Sequence, residues 1–376
     1  MPFSFDVEES VVRHPASAKW SMFAEDVLPL WVADMDFPVA PPIVEALRRR
    51  LDLGLGYSPF EGEKTLVDAL TARHGVAREG LMLLPGVVSG LYASVRTFAS
   101  PGEEVMSHVP IYPPFMSAIR DTDRAPILVP LVEGANRYEI DFDAMQASVT
   151  PATRLLMLCN PHNPTGRTWT REELERVAEF ALRHRLWVVS DELHADLTLD
   201  GGFVAFASLA AEVAARTVTL TGPCKAFNTA GLGIGAAVSS NAALIARMKK
   251  VAAGTGHPSA LAQTMWHAAI TEGEPWLRDV LNVLRARRDF LADLVRARLP
   301  EARFLAPQAT YLAWLDLRAL NLPTTAGAFL LERAKVALND GPTFGPSYEG
   351  FARLNFATSE AVLAEAIERI VRAIRS

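Results

Sequence analysis

Cysteine is nearly absent from this chain: 376 residues contain two, Cys159 and Cys224. That excludes a disulfide scaffold and fits a reducing compartment, so a cytoplasmic protein is expected. Basic excess is absent too, since 37 Lys and Arg stand against 43 Asp and Glu, a net charge of −6. No cationic footprint for nucleic acid or an anionic membrane follows. No apolar run approaches the ~18 residues that would span a bilayer. The opening MPFSFDVEES is acidic and lacks an apolar core, so a secretory signal is not expected. Repeats and low-complexity tracts are missing. So are a GK[ST] P-loop, HExxH and GxSxG, and Gly231-Leu-Gly-Ile-Gly235 is not a G-x-G-x-x-G turn. His257 and His267 lack metal-ligand spacing, and no metal is expected.

What is present is ordinary globular composition, 50% hydrophobic and 21% charged, in a chain long enough for two or three domains. Short apolar runs alternate with amphipathic helices. RLLMLC (154–159) reads as a buried strand. A helix follows over 171–185, opened by a capping box of Thr170 and Glu173. LWVVS (186–190) is the next strand, and 216–220 and 234–239 continue the series. Continuous apolar strands separated by helices predict an α/β fold with a mostly parallel central sheet covered on both faces. Near the N-terminus the pattern is proline-rich, with one helix from Pro42. Beyond residue 274 come a long helix to 299, a strand (311–317), a helix (325–335), a strand (351–356) and a final helix (359–374). The expected division is a large α/β domain over 54–275 and a smaller α+β domain built from 1–53 and 276–376.

Three segments carry chemistry. Asn160-Pro-His-Asn-Pro-Thr-Gly166 must be a turn between strand and helix. Such turns lie at the carboxyl edge of an α/β sheet, where ligands bind, which makes Asn163 a candidate. Ser190-Asp-Glu-Leu-His194 ends the next strand. Asp191 there is either a cap or a buried carboxylate awaiting a positive partner, such as a protonated pyridine nitrogen. Thr221-Gly-Pro-Cys-Lys225-Ala-Phe-Asn-Thr-Ala-Gly231 sets a lysine among small and apolar residues, surroundings that suit a Schiff-base lysine.

The ordered set Asn163, Asp191, Lys225, Arg353 resembles the fold-type I enzymes of the aminotransferase superfamily (class I/II), which use pyridoxal 5'-phosphate (PLP). WVADMDFP (31–38), GYSP (56–59), YPPF (112–115) and FARLNFA (351–357) add a similarity to its MalY/PatB-type branch of cystathionine β-lyases, or C–S lyases. The resemblance spans nearly the whole chain. It implies that Lys225 holds PLP and later serves as acid and base, and that Asp191 pairs with the pyridine nitrogen. Asn163 would bond the ring 3′-oxygen, with His194 in place of the tyrosine of many relatives. Tyr112 would stack on the ring. Backbone N–H groups of Gly86, Val87 and Val88 would cradle the phosphate, with Thr221 as a further candidate. Tyr57 would reach the phosphate of a neighbouring subunit, which implies a homodimer. Arg353 would fork onto the substrate carboxylate.

Three positions depart from the pattern. Gly222 stands where many aminotransferases have a hydroxyl, Cys224 where serine is expected, and Gly233 where many relatives have a phosphate-binding arginine. Cys224 reads as a packing residue, with a reactive thiol as the alternative. The RARR run at 285–288 reads as a solvated helix face. Trp20 and Trp31 are candidates both for the substrate entrance and for the core. The expected activity is β-elimination from cystathionine, cystine or related S-substituted cysteines, giving pyruvate, ammonia and a thiol. The alternatives are an aminotransferase of the same fold, and a PLP-binding regulatory protein with weak turnover. An appended DNA-binding helix-turn-helix would mark the last, and these 376 residues leave no room for one.

Overall fold

A computed structural model describes residues 3–5, 12–13 and 16–375; most of the acidic opening segment lies outside them. Seven strands form the central sheet: β1 (Leu81–Leu84), β2 (Glu104–Val109), β3 (Ala125–Pro130), β4 (Thr153–Cys159), β5 (Trp187–Asp191), β6 (Thr217–Thr221) and β7 (Gly235–Val238). Their spatial order is β1-β7-β6-β5-β4-β2-β3. Only β7 runs against its neighbours; β6, β5, β4, β2 and β3 are parallel. The mostly parallel sheet expected from the apolar runs is therefore present. Leu155, Leu156, Met157 and Leu158 are all fully buried, as a strand covered on both faces requires.

A second, antiparallel sheet comprises β8 (Arg303–Phe304), β9 (Leu312–Asp316), β10 (Asn339–Asp340) and β11 (Phe351–Asn355), in the order β8-β9-β11-β10. The hydrophobic residues form two clusters, one around the central sheet and one under the small sheet and the long helices. The final helix, Glu360–Arg375, buries Val362, Leu363, Ala366, Ile367, Ile370 and Val371 on one face. Each of the Val, Leu and Ile side chains contributes about 1.5–3 kcal/mol relative to exposure.

The capping box is formed as read: Thr170 Oγ accepts from Glu173 N at 3.2 Å, and Glu173 accepts from Thr170 N at 2.7 Å. The helix expected over 325–335 is irregular instead. An α-helical turn (Ala326–Phe329) passes into a π-helical one (Leu330–Ala334) that stops at Lys335, in the left-handed region. The RARR run is not a solvated face. Arg285 bonds Leu199 O, Arg287 bonds Thr358 O and Glu360, and Arg288, 8% exposed, holds Asp200, Asp289 and Pro307 O. The long helix Glu274–Arg298 uses these arginines to tie three loops together, and charge alone could not reveal that. Among the described residues, no helix is long and apolar enough to cross a membrane.

Candidate active site

Strands β1, β2, β4, β5 and β6 bring their carboxyl ends to one cavity of about 380 Å³. Gly86, Val87 and Val88 follow β1, and Tyr112 follows β2. Asn163 follows β4, Asp191 ends β5, and Lys225 follows β6. Arg353 enters from β11 of the small sheet. His194, Cys159, Cys224, Trp31 and Asn339 complete much of the lining.

Each polar group is placed by a local device. The turn carrying Asn163 closes with Gly166 at φ +68°, where an added Cβ would lie 2.2 Å from Pro307 Cβ. Glycine there allows Gly166 O to accept the N–H groups of Gln308 and Ala309, both at 2.9 Å. Asn228, three residues past the lysine, also has positive φ (+53°). Its side chain accepts from Met35 N and donates to Met35 O and Phe37 O, all at 2.9 Å. Lys225 Nζ in turn donates to Ala33 O at 2.8 Å. Tyr311 Oη donates to the same carbonyl at 3.0 Å, and Asn355 donates to Val32 O and Asp34 O. The WVADMDF segment is thus a strap held across the lysine.

The electrostatics are those of a site waiting for charged ligands. Asp191 is buried, accepts the Leu193 N–H at 3.1 Å, and has no cation beside it; burial pushes its pKa up to about 7. Arg353 is buried with its hydrogen bonds spent on neutral oxygens: Asn163 Oδ1 at 3.0 Å, Asn339 Oδ1 at 2.5 Å and Trp31 O at 3.2 Å. Burial lowers its pKa to about 10, and its Nε has no partner. His194 is buried with Nδ1 unpartnered; burial first, then Lys225 and Arg353, lower its pKa to about 3, so the ring is neutral. Asn163 Oδ1 is occupied by Arg353, which leaves its amide N–H groups free to donate into the cavity.

These features fit the cofactor that the sequence resemblance implies. A buried carboxylate without a cation suits a pyridinium nitrogen. An unpartnered imidazole and a free amide suit a phenolate oxygen. The helix Val87–Phe98 presents its first N–H groups to the cavity, which suits a phosphate. Gly222 now has a reason: its Cβ would lie 3.0 Å from Ile234 O and 3.3 Å from Leu193 Cδ1, so the hydroxyl of many relatives has little room. Gly233 has positive φ (+30°), which disfavours any residue with a Cβ, arginine included.

Not every candidate arrives. Thr221 is the last residue of β6, in register with Ala236 of β7, and does not line the cavity. Tyr57 is wholly exposed within one chain and borders a different surface cavity with Phe60 and His257. Trp31 lines the cavity, whereas Trp20 is buried and donates to Asp36 Oδ1 at 2.8 Å. The reading of the sequence missed Asn228, Tyr311, Asn339 and Asn355. Asn355 was findable, since it shares a strand face with Arg353 two residues away.

The description "Aminotransferase class I and II" fits residues 25–370 as a family model. Cystathionine β-lyase PatB of Bacillus subtilis (strain 168) is 38% identical, the match covering 95% of this chain and 96% of the relative. Protein MalY of Escherichia coli (strain K12) is 34% identical over 99% of both. Among solved structures, cystalysin from Treponema denticola, which contains PLP, superposes with a TM-score of 0.94 at 30% identity, over 100% of this chain and 99% of that one.

Proposed function

Since this chain belongs to the aminotransferase class I and II family, on its MalY/PatB-type branch, we propose that it is a PLP-dependent C–S β-lyase acting on cystathionine, cystine or related S-substituted cysteines. Its cofactor is PLP. The observation that carries the reading is the convergence of a lysine, an uncompensated carboxylate and an uncompensated guanidinium on one cavity.

Lys225 would hold the cofactor covalently, with Asp191 at its ring nitrogen. Asn163 and His194 would hold its ring oxygen, and Gly86–Val88 its phosphate. Tyr112 would lie against the ring face. When bound, PLP supplies an electron sink conjugated to the substrate amino group. Arg353 binds the substrate α-carboxylate, giving its charge the partner it lacks in the free site. Lys225, released to act as a base, takes the proton from Cα. The electron pair left there expels the thiolate from Cβ, and the Cβ–S bond breaks. Hydrolysis of what remains gives pyruvate and ammonia, so substrate plus water yields pyruvate, ammonia and thiol.

The same residues would equally serve transamination, and the family description favours that as the second reading. L-cystathionine given to PLP-saturated protein without a keto acid separates the two. Pyruvate accumulating over many turnovers supports the lyase. Keto-acid exchange with glutamate, far faster than pyruvate release, overturns it.

We also infer a homodimer in which Tyr57 enters the neighbouring cavity. Its support is a patch of exposed apolar residues around it: Leu53 (77% exposed), Leu55, Phe60 (76%) and Leu51. We divide the chain at 53/54 and 275/276; a small sheet confined to residues 303–355 supports this. Two unpaired cysteines support a cytoplasmic location.

A further inference from the structure

A second cavity, of about 560 Å³, lies on the far side of Lys225. It shares Val32, Ala33, Lys225 and Ala230 with the first, so the lysine stands where the two meet. Its other charged lining groups are Lys19, Asp34 and Asp36. Two of these are satisfied. Asp36 takes Lys19 Nζ at 2.8 Å on one oxygen and Trp20 Nε1 at 2.8 Å on the other, and all three side chains are buried. Lys19 spends a further bond on Asp34 O at 3.2 Å.

Asp34 differs. Its main chain is fixed by Lys19, Asn355 and the turn to Val32. Among the described residues, however, no donor reaches its carboxylate. That carboxylate is half-buried in the cavity wall, and of the cations acting on it Lys225 acts most strongly, ahead of Lys19. Burial raises its pKa, the state of a carboxylate short of a positive partner.

Arg353 lines the first cavity and Lys225 stands where it meets the second, so a substrate that reaches from one into the other would carry its thiol half past the lysine. Beyond the lysine lie this cavity and the Asp34 carboxylate. We propose that Asp34 is a subsite for a cationic leaving group, binding an ammonium carried on the thiol half of the substrate. The proposal rests on the lyase reading. The fixed backbone anchors the residue beside the cavity, so ordering on binding is confined to its side chain.

Three near-isosteric substrates test it: S-(2-aminoethyl)-L-cysteine, S-propyl-L-cysteine and S-(2-carboxyethyl)-L-cysteine, with cationic, neutral and anionic tails. With holoenzyme, kcat/KM for pyruvate release should fall in that order. Asp34→Asn should lower the value for the cationic substrate by about 10- to 100-fold, the size of one lost charge-assisted hydrogen bond. It should leave the neutral one within about twofold and not lower the anionic one. An equal fall for all three would overturn the proposal and make Asp34 a counter-charge for Lys225. No change for any would also overturn it. If wild-type protein released no pyruvate from any of them, the lyase reading itself would fall. Calorimetric affinities of the same three compounds would still decide the subsite: the charge order must appear in wild type and vanish in D34N.

Discussion

Replacing Asp191 by asparagine should stabilise the cofactor-free protein, and by more as pH rises. The carboxyl is buried with one backbone donor and no cation, and its pKa is pushed up to about 7 from 3.8. Between those values the native chain keeps a proton that the unfolded chain has lost. Unfolding releases it, so the group's contribution to stability falls as pH rises. At about 1.4 kcal/mol per pH unit of mismatch, the cost is about 1.5 kcal/mol at pH 5 and about 4 kcal/mol at pH 8. Asparagine keeps the shape and removes that cost. Denaturant unfolding of both apoproteins at the two pH values measures it. Buried His108, His162 and His194 have lowered pKa values and pull the other way below pH 6.5, but they cancel in the difference between variants. Glu192, also raised to about 7 and mainly by burial, does not cancel, because the Asp191 charge helps to raise it; D191N relieves that and adds to the same trend. The stabilisation by D191N should therefore grow by about 2–3 kcal/mol from pH 5 to pH 8. PLP should reverse the ranking, because only the wild type offers the ring nitrogen a carboxylate. A D191N apoprotein no more stable than wild type at pH 8 would refute the reasoning that an uncompensated charge is stored here for the cofactor.

Other consequences follow from single contacts. Lys225→Ala should lose turnover by at least ~10³-fold along with the visible absorption of lysine-bound PLP, while cooperative unfolding persists. Arg353→Ala should lower kcat/KM for amino-acid substrates by about 100-fold, mainly through KM, as expected for a lost bidentate carboxylate contact; an unchanged KM would place the carboxylate elsewhere. Asn228→Ala removes three hydrogen bonds to the strap and should cost about 2–4 kcal/mol in unfolding free energy. It should also slow turnover, since Lys225 hangs on the same strap through Ala33 O. Tyr57→Ala should weaken PLP affinity about tenfold with little change in monomer stability, because the side chain touches nothing within its own chain that would hold it.

The chemistry was more legible in the sequence than the scaffold that aims it. Lys225, Asp191 and Asn163 each sit just past a short apolar strand, and the rule that ligands gather at carboxyl ends of a parallel sheet located them. Arg353 is different: it lies in a strand of the other sheet, and only the resemblance joined it to the rest. The strap was visible as WVADMDF, but its purpose was not, because its hydrogen bonds run to Asn228, Tyr311 and Asn355, up to about 320 residues away along the chain. Local patterns do not encode such pairings. Arg285, Arg287 and Arg288 mislead for the same reason, since a charge run on a helix looks identical whether it meets water or three loops. Gly222 appeared as a missing hydroxyl and became intelligible only when Ile234 O was seen beside it. Tyr57 remains outside what one chain can explain.

The central claim is that one lysine carries the cofactor in the cavity that Asp191 and Arg353 close. Borohydride reduction of the PLP-saturated protein, followed by peptide mass mapping, tests it directly, because the chain has only six lysines. The account predicts a single phosphopyridoxyl adduct, on the peptide containing Lys225, and its absence after prior reduction of the Lys225→Ala variant. An adduct on Lys19, Lys64, Lys249, Lys250 or Lys335, or none at all, would contradict it.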